Sequence, residues 1–144
     1  MNAPGAAADR YCGRVGTSWD DDERRRVRAR LVELAAFPGV QVDDSHGHTG
    51  FLLRGKRFAW LLVDHHGDGR LALAVKAPPG EQESLVADDT RYFVPAYLGP
   101  HGWVGANLDE ASDPDWSEIA ALLEQAWRMS ATKRAIAEYD QRES

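Results

Sequence analysis

The chain has 144 residues, with 17 basic and 23 acidic side chains and a net charge of −6. That is one domain's length, enough to bury a core without covalent staples, and the single cysteine, Cys12, excludes an intramolecular disulfide and a multi-cysteine metal site. The acidic total argues against tight nonspecific nucleic-acid binding, and the apolar stretches are too short to span a bilayer.

Residues 1–17 are rich in Ala and Gly without an apolar period, which predicts a flexible tail. The opening MNAPGAAADR lacks the basic start and apolar run of a signal peptide, so a cytoplasmic protein is expected, a reducing setting for the lone thiol. From Ser18, a capping residue followed by Asp20, Asp21, Asp22 and Glu23, the apolar positions Val27, Leu31, Leu34 and Ala35 recur at helical spacing until Pro38-Gly39. Gly50 to Arg54 reads as a strand, Gly55-Lys56 as a hairpin turn, and Arg57 to Asp64 (RFAWLLVD) as a second strand. A polar loop, His65 to Gly69, leads to a third strand, Arg70 to Lys76, with Leu71, Leu73 and Val75 on one face. Glu81 to Asp89 predicts a short helix. Pro95 marks residues 92–98 (YFVPAYL) as an edge strand or irregular segment. Gly99 to Gly102 is a turn, Trp103 to Leu108 a strand with Gly105 at a bulge, and Asp113 or Asp115 opens a last long helix. A charged tail is expected over residues 137–144, leaving a domain at 18–136.

Strands bracketed by helices predict an α+β fold, a two-layer sandwich in which helices cover one face of an antiparallel sheet of about five strands. The other face is expected to be open. Strict alternation in RFAW pairs Trp60 with Phe58, toward the helices.

The stretch RGKRFAWLLVD, followed by LALAVKAPPGEQESLVADDTRYFVPAYLGPHGWVGANLD, resembles the MmcQ/YjbR-like proteins. AAFPGV, HGHTGFLLRGKRF and DWSEIAALLEQAWRMSATKR are similar to that family's pattern, so the resemblance covers residues 18–136. It implies a frataxin-like (CyaY-like) fold and DNA binding through a double-wing motif, and it brings no established catalytic residues.

Charge is unevenly distributed. Residues 54–77 carry five basic and two acidic side chains, whereas residues 78–127 carry one basic and ten acidic. Any nucleic-acid contact is therefore expected at the hairpin, from Arg54, Lys56 and Arg57, with Lys76, Lys133 and Arg134, and Arg91 as a further cation. The alternative reading is a binding module without catalysis, using Trp60, Tyr97 and Trp103 as a ligand groove for a small molecule or a protein. Metal binding is a weaker reading. His46 and His48 would share a side if their segment were extended, His65 and His66 lie near Asp64 and Asp68, and the acids at 20–23 invite comparison with frataxin iron ligands, but no third and fourth ligand stands at a telling spacing. Cys12, Ser45-His46 and Ser84 show no nucleophile motif, and GKRF is not a phosphate loop. No enzyme activity and no cofactor are expected, and the chain is expected to be a monomer or weak homodimer.

Overall fold

A computed structural model describes residues 18–143. The expected tail at 1–17, with Cys12, lies outside the described residues. The first helix, α1 (Asp21–Leu34), is capped by Asp20, whose carboxylate accepts the Glu23 N–H, while Ser18 instead donates to Asp109 from 2.5 Å. Its Val27 and Leu31 are buried.

Six antiparallel strands follow: β1 (Val40–Ser45), β2 (His48–Leu53), β3 (Lys56–Val63), β4 (Leu71–Val75), β5 (Tyr92–Phe93) and β6 (Val104–Asn107). Their order in the sheet is β1-β2-β3-β4-β6-β5. Helix α2 (Glu81–Asp88) precedes β5, and α3 (Trp116–Ser130), capped by Asp115, follows β6. Helix α4 (Lys133–Glu143) occupies the region expected to become a charged tail. It is held because Ala135, Ile136 and Tyr139 pack on the main core, Tyr139 lying 5.2 Å from Trp127 and 5.6 Å from Phe37.

The sheet has one more strand than expected. β1 (VQVDDS) runs along the sheet edge and is largely exposed, so its sequence has no buried face to read. The β1–β2 turn places His46 at φ 53° and Gly47 at φ 83° between the paired Ser45 and His48. The β2–β3 turn is Arg54-Gly55, both at positive φ, one residue earlier than expected, because Leu53 pairs with Lys56.

Two further departures come from local packing. Between β2 and β3, Phe51 opposes Ala59 and Leu52 opposes Arg57, leaving Phe58 as an extra, bulged residue. The bulge resets the alternation. Phe58, Ala59, Leu61 and Val63 enter the helix-side core, and Trp60 and Leu62 turn to the opposite face, which reverses the expected placement of Trp60. Gly105, by contrast, sits in unbroken register, opposite Ala74 and Phe93. It is glycine because a Cβ there would lie 2.5–2.8 Å from the Phe93 ring.

The helices form the second layer. Val27, Leu31, Ile119, Leu122, Leu123, Ala126 and Trp127 close over Phe51, Leu61, Leu71, Leu73, Val75 and Val104 in one cluster. The face away from the helices, expected to be open, is partly roofed. Leu98 and Trp103, from the segment between β5 and β6, pack on Leu62, Ala74 and Trp60. Gln82 of α2 fixes that segment by donating to the carbonyls of Gly99 (2.9 Å) and Trp103 (2.6 Å). Among the described residues no helix is long and apolar enough to cross a membrane.

Candidate functional site

The cations singled out by the sequence separate into two groups. Arg54 at the hairpin tip, Lys56 at the start of β3 and Lys76 just past β4 line one cleft of about 200 Å³ with Leu53, Met129 and Ser130. The antiparallel order β2-β3-β4 explains this convergence, since the β2–β3 turn and the exit of β4 fall at the same end of the sheet. The C-terminus of α3 supplies the third wall. Among the described residues no carboxylate lines the cleft. Among the described residues, Arg54, Lys56, Lys76 and Lys133 make no ion pair.

The other cations are engaged elsewhere. Arg57 donates to Asp43 at 2.7 Å, and its guanidinium stacks 4.5 Å from the Trp60 ring centre. Arg91 is bound to Asp89 and to the Asp113 carbonyl, and the Asp89 contact holds that carboxyl below its ordinary range. Arg134 is exposed and lies 3.5 Å from Glu138. Lys133 and Arg134 open α4 without lining the cleft, and as cations at a helix N-terminus they oppose the dipole there.

The aromatic residues also divide. Trp60 and Tyr97 line a cavity of about 180 Å³ on the face away from the helices, together with His48, Leu62, His65, Ala96 and Leu98. Trp103 is only 8% exposed and packs with Leu62 and Ala74, so it supports the cavity without lining it. His48 and His65, considered in the sequence only as metal ligands, complete the lining. Nothing in the spacing points to that role, because the bulge and the 3-10 turn at His65–Gly67 bring them there. The His48 and His65 rings meet edge to face at 5.4 Å, and burial first, then neighbouring histidines, pushes both below the ordinary histidine value.

The metal readings lose their geometry. His46 occupies the turn, so the i, i+2 spacing does not align it with His48 on one strand. Asp20 caps α1, Asp21 pairs with Arg24 and Arg25, Asp22 pairs with Arg25, and Glu23 accepts the Glu110 N–H at 2.5 Å. Among the described residues no group of three or more His, Cys, Asp or Glu side chains is placed to hold a metal ion. Ser84 is exposed on α2.

The YjbR family model matches residues 35–129, well over half of the chain. The matched stretch runs from the end of α1 almost to the end of α3, so it contains all six strands, the cleft cations Arg54, Lys56 and Lys76, and the aromatic cavity. Lys133 and Arg134 lie outside it. Among curated proteins, none matches the chain.

Proposed function

The chain belongs to the YjbR family, and we propose that it binds the phosphate backbone of DNA, without catalysis, through the cleft of Arg54, Lys56 and Lys76. The observation that carries this reading is the convergence of three cations, unneutralised among the described residues, in a cleft with no carboxylate in its lining. Among the described residues most of the other arginines are held by a carboxylate. Cations left unpaired side by side repel one another, a cost that a bound polyanion removes. Lys133 and Arg134, exposed at the start of α4, are further cations outside the cleft lining, Arg134 within 3.5 Å of Glu138.

The net charge of −6 sets the character of such binding. Long-range attraction to DNA is absent, so affinity rests on local phosphate contacts and falls steeply with salt. Each phosphate neutralised contributes roughly −0.9 to the slope of log K against log salt concentration. Replacing Arg54, Lys56 and Lys76 together with alanine is expected to abolish most of the binding to duplex DNA and to flatten the slope by about one unit per cation. A wild-type chain that leaves duplex DNA unshifted at low ionic strength, where phosphate contacts are strongest, would sink the reading.

A further inference from the structure

The second concave site lies on the opposite face of the sheet and does not depend on the DNA reading. Its floor is Trp60 and Leu62 of β3, with His48 from the start of β2. His65, on the turn after β3, forms one wall, and Ala96, Tyr97 and Leu98 form the rim. Among the described residues no Asp, Glu, Lys or Arg side chain is in the lining.

Three observations show that the site is built to a specific shape. First, the bulge at Phe58 is what turns Trp60 away from the helix layer. Second, among the described residues four of the six non-glycine residues at positive φ lie in the lining or within two residues of it: His46 (53°), Asp64 (50°), His66 (53°) and Tyr97 (67°). Such backbone is disfavoured for side-chain-bearing residues and collects at ligand sites. Third, Tyr97 is 72% exposed, yet its ring is placed, 4.9 Å from His66 and 6.2 Å from His65.

The hydrogen-bonding groups are also oriented. The Nδ1 of His48 accepts the Val63 N–H at 3.0 Å, so the neutral ring carries its proton on Nε2 as a donor. Burial, with the neighbouring histidines, favours the neutral form of His48 and His65. Among the described residues an anion would find no lysine or arginine in the lining. A flat ring would find the exposed Tyr97 ring to stack on and Trp60, one face of which is held by Arg57, as an aromatic wall, and a ring nitrogen would find a donor.

We propose that the cavity of His48, Trp60, His65 and Tyr97 binds an uncharged planar heteroaromatic ring of nucleobase size, either as a free base or as an unstacked base of a single strand.

The test is amide chemical-shift mapping of the full chain with two probes, adenine and a short single-stranded oligodeoxyadenylate. Saturable shifts confined to the backbone around residues 48, 60–66 and 96–98 are the expected result. Shifts with adenine identify the free base as sufficient, and shifts with the oligonucleotide alone identify the strand as the source. Tyr97→Asn is the diagnostic variant, because the position is exposed and asparagine tolerates left-handed backbone. It should weaken binding roughly tenfold, the size of one lost stacking contact. Absence of saturable shifts at these residues with both probes overturns the proposal, as does binding that Tyr97→Asn leaves unchanged.

Discussion

Arg57 lies with its guanidinium 4.5 Å from the centre of the Trp60 ring, three residues along β3, while its Nη2 reaches Asp43 on β1. In a regular strand these two side chains would point to opposite faces. The extra residue Phe58 brings them to one face. Arg57 is thereby spent on the sheet, linking β1, β2 and β3, although it sits beside the two hairpin cations that face the cleft. Arg57→Ala is expected to destabilise the fold by about 1 kcal/mol through the lost stack and ion pair and to leave the salt slope of DNA binding unchanged. Arg54→Ala should do the reverse, with a stability change within about 0.5 kcal/mol. Denaturant titrations of both variants, read beside salt-dependent DNA binding, check the division.

Gly50 sits beneath that stack. A Cβ there would lie 2.7 Å from the Arg57 Nε and 3.2 Å from the Trp60 ring. Gly50→Ala should therefore displace the Arg57 side chain and cost about 1–3 kcal/mol. Chemical denaturation measures this, and in an Arg57→Ala background the cost should shrink because the closest clashing atom is gone. Equal costs in both backgrounds would show that the strain lies elsewhere.

These residues also mark where the sequence was legible. The α+β class, the helix-side core from Val27 to Trp127, the hairpin carrying Arg54 and Lys56, and the family were all readable, because each rests on periodicity, turn chemistry or a motif within a short window. What failed was what a window cannot contain. Trp60 was assigned to the wrong face because one bulged residue inverts the alternation beyond it, and β1 was missed because an exposed edge has no apolar face. Residues 137–143 read as tail because their composition is polar, and the ring of Tyr139 packs them on the core. In the candidate site, Lys76 could be joined to the hairpin cations because antiparallel order is predictable, whereas Arg57 and Arg91 could not be subtracted from the list, since their partners Asp43 and Asp89 are assigned only by geometry. The cavity combines strands, a 3-10 turn and an irregular rim, so no local signal announces it.

The histidine pair predicts a pH dependence. Burial lowers the folded-state values of His48 and His65 below the ordinary 6.5, opposed in part by the Asp68 carboxylate. Between the folded and unfolded values the unfolded chain binds more protons, so protonation favours unfolding. The contribution is fully present above 6.5 and is lost as pH falls through the lowered folded values. Asp44, held low by hydrogen bonds from Arg28 and Thr49, acts in a separate window, beginning below 3.8. Unfolding free energy should therefore decline as pH drops below about 6.5. The decline should be blunted in a His48→Gln, His65→Gln double variant, whatever its absolute stability. Urea titrations across this range would contradict the assignment if the two slopes coincide.

The last helix gives a prediction about how much of the fold lies outside the matched family stretch. α4 begins after residue 129 and rests on a three-ring contact, with Tyr139 tilted against Trp127 and edge-on to Phe37. Trp127 is held independently. It is fully buried, stacks on Phe37 at 5.3 Å, and donates its indole N–H to the Pro38 carbonyl at 3.1 Å. Removing the Tyr139 ring should therefore release α4 without unfolding the sheet. The ion pair of Arg128 with Asp140 is exposed and contributes little by itself. Tyr139→Ala is expected to cost about 1–2 kcal/mol in ring contacts. It should also raise proteolytic cleavage within residues 131–143 under conditions where the sheet amides stay protected from exchange, because a weakly docked terminal helix opens as its own unit. Asp140→Asn, by comparison, should leave cleavage near the wild-type rate. If Tyr139→Ala leaves cleavage in this segment unchanged, the aromatic contact is not what docks the helix.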